Sequence, residues 1–266
     1  MPDKDKSWSG HSRNWDKFGP PLRPTTAVAD HMREQMVPGG RILMMGVTPE
    51  LHAAFDNIIA VDKDPDMIRN VWPGDNDTKA AIQGDWLRMR WPEGSFDGIA
   101  CDGGLGMLED PDDMRYFQSL CMRWLKPSGT VVHRLFERPV GRNAITKDRL
   151  LSVIEDPARV NWHAFKWLMA FYLCEENDDS TLRLVEVMNL FNDLFPDRDL
   201  LLNKTGWSRE TIDTIDLYAD IDRISYFGTR DEYAATIPES AVDVSFRVVS
   251  GYDLAEYCPI MRWRKP

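Results

Sequence analysis

Cysteine is scarce and scattered in this chain of 266 residues. The four, Cys101, Cys121, Cys174 and Cys258, form no CxxC pair and no cluster with histidine. That excludes a disulfide scaffold and a zinc ribbon and fits a reducing compartment. Glycine-rich phosphate loops are missing as well. There is no GxGxxG in the first loop and no GK[ST], so the dinucleotide fingerprint and the P-loop both fail. Positive charge is in deficit, with 32 Lys+Arg against 43 Asp+Glu and a net charge of −11. A broad phosphate-backbone footprint needs clustered basic residues, so nucleic acid is a poor partner. No uncharged apolar run approaches the roughly 18 residues of a membrane span, and Met1–Lys6 carries no apolar core of a signal peptide. The expectation is a soluble cytoplasmic protein with no metal site.

The composition that remains, 43% hydrophobic and 28% charged, supports a packed core. The length allows one large α/β domain or a domain with a sizeable insertion. Charge is uneven along it. Residues 172–222 hold 13 acidic and 4 basic side chains, whereas residues 123–149 hold 7 basic and 2 acidic. The first 24 residues are polar, carry Trp8, Trp15 and Phe18, and end in Pro20-Pro21-Leu22-Arg23-Pro24. They read as an extended arm that packs on something, proposed as a lid over the site.

Helix and strand then alternate. Thr25–Met36 reads as a helix. The strands are Ile42–Met45, Ile58–Val61, Ala80–Ile82, Gly98–Cys101 and Thr130–His133. Thr48-Pro49 and Asp64-Pro65 have the cap-then-proline signature of helix starts. Met114, Phe117, Cys121 and Trp124 make one apolar helical face after Pro111. Short apolar strands alternating with helices predict a doubly wound parallel sheet with its ligand at the carboxyl ends of the strands. Helices over 147–155, 162–175, 181–195 and 209–219 interrupt the alternation. Asp243–Val249 and Pro259–Trp263 suggest a terminal antiparallel pair. The division expected is an arm at 1–24, a cofactor-binding core at 25–144, a helical cap inserted at 145–222 and terminal strands at 223–266.

The strand ends carry the chemistry. Gly46 lets a ligand approach the backbone just before a helix start. Asp62, closing the second strand, stands where an acid accepts from both hydroxyls of a ribose. Asp85 can accept from an exocyclic adenine amine, with Trp86 beside it to cover the ring. Asp102 and His133 end the fourth and fifth strands.

Taken in order, ILMMGVTPEL, IIAVDKDPDMI, AIQGDW, FDGIACDGG and LKPSGTVV resemble class I S-adenosylmethionine-dependent methyltransferases over about residues 40–135. The resemblance implies S-adenosyl-L-methionine as cofactor and a Rossmann-like seven-stranded sheet ending in an antiparallel hairpin. It implies that the first loop at Gly46 wraps the methionine part, Asp62 holds the ribose, Met67 packs on adenine, and Asp85 with Trp86 binds the adenine edge. The chain departs from the family at the first loop. Met44 and Met45 precede Gly46 where an acid is usual, and Thr48 replaces the second glycine. Thr48, Glu50 and the backbone at Gly46 and Cys101 are then the candidates for the cofactor's amino-acid end.

Methyl transfer is an in-line displacement that needs a base only for a hydroxyl or protonated amine acceptor. His133 and Asp102 are the candidate catalytic residues. Arg134, Arg138 and Arg142, beyond the fifth strand, suggest an anionic group on a small substrate. Trp15 and His11 of the arm are candidate substrate contacts. The readings in competition are a small-molecule methyltransferase, a macromolecule methyltransferase that the charge argues against, and a noncatalytic cofactor-binding protein. The acceptor and the oligomeric state are open.

Overall fold

The computed structural model of the chain describes residues 8–141, 144–153, 155–156, 160–221 and 223–266. Its strands are β1 (Ile42–Met45), β2 (Ile58–Asp62), β3 (Lys79–Gln83), β4 (Phe96–Asp102), β5 (Leu125–Arg134), β6 (Thr181–Arg183), β7 (Ile224–Tyr226), β8 (Val242–Arg247) and β9 (Ile260–Arg264). Seven of them form one sheet in the order β3-β2-β1-β4-β5-β9-β8. β1 to β5 are parallel, and β9 runs antiparallel to both β5 and β8. The order reverses between β1 and β4, which opens a crevice at their carboxyl ends. The expected doubly wound, seven-stranded methyltransferase-type sheet is present.

Strand periodicity sorts the core into two layers, because successive side chains point to opposite faces. Leu43 and Met45 face the layer of α5 (Pro111–Trp124), with its Met114, Phe117, Cys121 and Trp124. Ile42 and Met44 face the other layer, built from α2 (Thr26–Glu34), α3 (Pro49–Ala54) and α4 (Pro65–Val71). Asp64 and Asp110 accept from the backbone amides of Asp66 and Asp112, and a proline follows each as the first helical residue. Those caps fix where α4 and α5 leave the strand-end loops.

A third cluster lies in the cap. There α6 (Lys147–Ser152), α7 (Trp162–Asn177), α8 (Leu184–Leu194), α9 (Arg198–Thr205) and α10 (Arg209–Ile212) pack together. The central α7 is apolar nearly all round and is covered on nearly all sides, as such a helix must be. Two features differ from the sequence reading. Residues 181–183 are not a helical turn but β6, paired antiparallel with β7. The stretch expected as one helix over 209–219 is α10 followed by a 3-10 helix, Asp213–Asp220.

The arm also differs. It holds α1 (Ser9–Arg13) and a 3-10 turn at Trp15–Lys17 instead of an extended segment. Trp8, His11, Trp15 and Phe18 recur at three- and four-residue steps, which is helical spacing that the polar composition masks. Ser12 accepts from Asn70 of α4 at 2.9 Å, and the Lys17 carbonyl lies 3.0 Å from the His163 ring of α7. The arm is therefore fixed between the sheet domain and the cap. Among the described residues no helix is long and apolar enough to cross a membrane.

Candidate active site

One cavity of about 480 Å³ opens at the carboxyl ends of the parallel strands. Its floor is Met45 to Thr48 after β1, Asp62 to Asp64 after β2, Asp85 to Leu87 after β3, and Asp102 to Gly104 after β4. Its roof comes from the arm, with Trp8, His11, Trp15, Phe18, Leu22 and Arg23, and from the cap, with Trp167, Leu184 and Tyr218. β7 brings Ser225 and its neighbour Arg223 to the same space.

On the floor, Gly46 has φ +90°, and a Cβ built on it would meet no atom within 4 Å. The left-handed backbone favours glycine, and the space above it is open to a ligand. Asp62 accepts from the amide of Asp64 through Oδ1 at 2.9 Å, leaving its second oxygen for another donor. Burial pushes the Asp62 carboxyl up to about 6, with the nearby Asp64 charge adding to the rise and Arg223 opposing it. Asp85 accepts from Leu87 N at 3.0 Å and lies 3.8 Å from Lys63. The Trp86 indole donates to the Val61 carbonyl at 2.8 Å, which locks its ring at the wall. Met67 lies in the same wall. Six residues expected at the cofactor, Gly46, Thr48, Asp62, Met67, Asp85 and Trp86, thus line one cavity. Thr48 stands at the N-cap of α3, but its side chain makes no capping bond.

At the far end of the floor, Asp102 lines the cavity and is ion-paired with the fully buried Arg134. Gly103 follows in the left-handed region at φ +66°, where a Cβ would lie 2.5 Å from the Phe136 ring. On the roof, the His11 ring is stacked between Phe18 and Tyr218, at centroid distances of 5.3 and 5.8 Å. Burial, and then the charge of Lys166, lower the His11 pKa to about 3, so the ring is neutral throughout the physiological range. Lys166 is itself fully buried over the Phe18 and Tyr218 rings, and burial lowers its pKa to about 7.

Four expected residues fall elsewhere. His133 does not line the cavity. Strand alternation turns it into the α5 layer, 6.0 Å from the Phe117 ring, where burial lowers its pKa to about 3. Being at a strand end does not reveal which face a side chain takes. Cys101, a candidate through its backbone, does not line the cavity, and its side chain is fully buried in the same layer. Arg134 is 0% exposed and donates to Asp102 and to the Pro21 carbonyl. Arg138 donates to Ser180 at 3.1 Å and lies 4.0 Å from Glu232. Neither arginine lines the cavity, so the anion-binding reading loses its carriers. Arg142 lies outside the described residues. Trp15 and His11, expected at the substrate, do line the cavity.

Sequence reasoning missed the roof residues Tyr218, Arg223 and Ser225, while Trp167 is one of several cap aromatics proposed for an apolar pocket. The apolar run of α7 signals burial but not which ring meets the cavity. Arg223, just before β7, donates to the Met107 carbonyl at 3.0 Å and lies 3.8 Å from Glu109, contacts between segments more than a hundred residues apart.

A family model described as a methyltransferase domain matches residues 45–133, the segment from the first loop to the end of β5. No curated protein matches the chain by sequence. Among solved structures, a Rhodobacter sphaeroides protein assigned as a zinc-dependent alcohol dehydrogenase aligns over 100% of this chain and 99% of its own, at 12% identity and TM-score 0.57. At that identity the likeness shows the fold alone. Among the described residues, no three or more His, Cys, Asp or Glu gather as a metal site. The N-methyltransferase NodS of Bradyrhizobium japonicum, in complex with S-adenosyl-L-homocysteine, aligns over 97% of this chain and 98% of its own, at 12% identity and TM-score 0.50. A Haloferax volcanii protein assigned as a methyltransferase, in complex with the Trm112 activator, aligns at 18% identity and TM-score 0.40. The match covers 52% of this chain and 62% of that one. The sheet order and the strand-end cavity are those of the Rossmann-like methyltransferase fold, and residues 45–133 match the methyltransferase-domain model.

Proposed function

We propose that the chain transfers a methyl group from S-adenosyl-L-methionine to a small molecule held between the strand-end floor and the roof. One observation carries this reading: the six floor residues expected at the cofactor line the same cavity as the arm and the cap. The volume, about 480 Å³, falls within the range of small-molecule sites.

The floor suits the cofactor. The second oxygen of Asp62 is available to the ribose hydroxyls. Trp86 and Met67 provide apolar walls for adenine, and Asp85 an acceptor for its amine. Gly46 leaves room for the thioether arm. Bound there, the cofactor supplies a methyl group on a sulfonium.

The chain's own contribution is orientation and exclusion of water. Asp102 and Gly103 hold the floor at the end of β4, while Phe18, Phe136, Trp167 and Tyr218 surround the space above with apolar surface. His11 is a hydrogen-bonding partner for an acceptor but a weak base, since its conjugate acid titrates near 3. The favoured acceptor therefore already carries a free lone pair, as a neutral amine or a carboxylate does, and needs little help losing a proton.

Calorimetric titration with S-adenosyl-L-homocysteine tests the cofactor half. Stoichiometric binding is expected, weakened in Asp62→Ala. No heat at millimolar ligand would reject the reading. Turnover of a small acceptor, with no salt-sensitive RNA binding, supports the small-molecule half.

A further inference from the structure

The first loop lacks the acid that its relatives place before the glycine, yet two ion pairs converge beside it. Arg134, fully buried at the end of β5, donates to Asp102 and, through Nη1, to the carbonyl of Pro21 in the arm at 2.9 Å. Two residues further along the arm, Arg23 donates through Nε and Nη2 to a single oxygen of Glu50, at 2.9 and 2.6 Å. Its Nη1 donates to the Trp15 carbonyl at 3.1 Å. Glu50 stands in the first turn of α3, two residues after Thr48, and the Glu50 and Asp102 charges act on each other. The four groups make a neutral circuit of two cations and two anions that joins the arm to the first loop.

Two features of this circuit match a zwitterion. A guanidinium offers five N–H donors, and Arg23, which lines the cavity, uses three of them on the protein, two on Glu50 in α3 and one on the Trp15 carbonyl of the arm. Asp102 brings a carboxylate to the same cavity. The cofactor's amino-acid end presents one carboxylate and one ammonium. Among the described residues three cations line the cavity, and the other two face other acids. Lys63 is 3.8 Å from Asp85, and Arg223 acts on Asp62 and lies 3.8 Å from Glu109. Arg23 is the lining cation tied to the first loop.

We infer that Arg23 of the N-terminal arm, held in place by Glu50, binds the carboxylate of the cofactor's amino-acid end, with Asp102 receiving its ammonium. Asp102 thereby takes the role of the first loop's missing acid, and the arm supplies the contact to the carboxylate. This rests on the cofactor reading above.

The test compares two ligands on the full chain by calorimetry. S-adenosyl-L-homocysteine carries the amino-acid end, and 5′-methylthioadenosine is the same adenosine thioether without it. Arg23→Met is expected to weaken S-adenosyl-L-homocysteine by about 10- to 100-fold and methylthioadenosine by less than about twofold. Arg23→Lys, which keeps the charge but not the fork, should lose a few-fold on the first ligand only. Equal losses on both ligands, or none on either, would overturn the inference, the first by making Arg23 a structural tie of the arm. If Arg23→Met does not fold, the Lys variant decides by the same ligand difference. Failure of the wild-type chain to bind either ligand would overturn the cofactor reading and this inference together.

Discussion

The floor and the roof of the cavity are built in different ways. The floor is local: each piece is a strand end followed within a few residues by a helix cap, as in Asp62-Lys63-Asp64 before α4. The roof is assembled from segments distant in sequence. The Pro21 carbonyl meets Arg134, the Lys17 carbonyl meets His163, and β6 meets β7 across some forty residues. Chemistry common to a family sits on the local part. The part that encloses the acceptor depends on long-range packing.

The sharpest way to break this division is at the joint between the two. Arg134→Met would leave Asp102 as a buried charge without its partner and free the arm at Pro21. It should destabilise the fold by about 3–5 kcal/mol, seen as a lower midpoint in denaturant. A negligible change would mean that the pair does not join floor and roof. Next in size is the floor itself. Asp62→Ala should weaken S-adenosyl-L-homocysteine by about 1.5–3 kcal/mol, one to two decades in Kd, with no fall in the folding midpoint.

The same residue predicts a pH dependence. The Asp62 carboxyl is raised from 3.8 to about 6, chiefly by burial. Between those values the native chain holds a proton that the unfolded chain has released. Without ligand, this group's contribution therefore lowers stability as pH rises from about 4 to about 6, and is constant above. Ligand affinity runs the other way, because the ionised carboxylate is the better acceptor for two hydroxyls. Affinity should be roughly tenfold lower at pH 5 than on the plateau above pH 7. Asp62→Asn should flatten that step; a step that persists would assign it to another group. The smallest effect is expected at Arg138, which lies outside the cavity and is bonded to Ser180. Arg138→Ala should change ligand affinity by less than about twofold and stability by about 0–1 kcal/mol.

The same contrast governs what could be read without coordinates. The five parallel strands and the strand-end residues Gly46, Asp62 and Asp85 follow from apolar runs closed by glycine or aspartate, whereas Met67 is expected at the cofactor only from the family resemblance. A strand end fixes position in the chain but not the face, which is why His133 and Cys101 turned inward while Asp102 reached the cavity. The basic segment after β5 is real in the sequence. Its members Arg134 and Arg138 find their anions within the protein, at Asp102 and beside Glu232, and composition does not show such pairing. Arg223 and Tyr218 enter the roof only because a three-residue strand pair folds the cap back over the sheet.

Amide hydrogen exchange with and without saturating S-adenosyl-L-homocysteine tests the central claim most directly, since it reads floor and roof in one experiment. The account predicts slower exchange at the strand-end loops around residues 46–51, 62–67 and 85–87, together with slower exchange across the arm at residues 8–23. Unchanged exchange in the strand-end loops, or protection confined to segments outside this cavity, would contradict it.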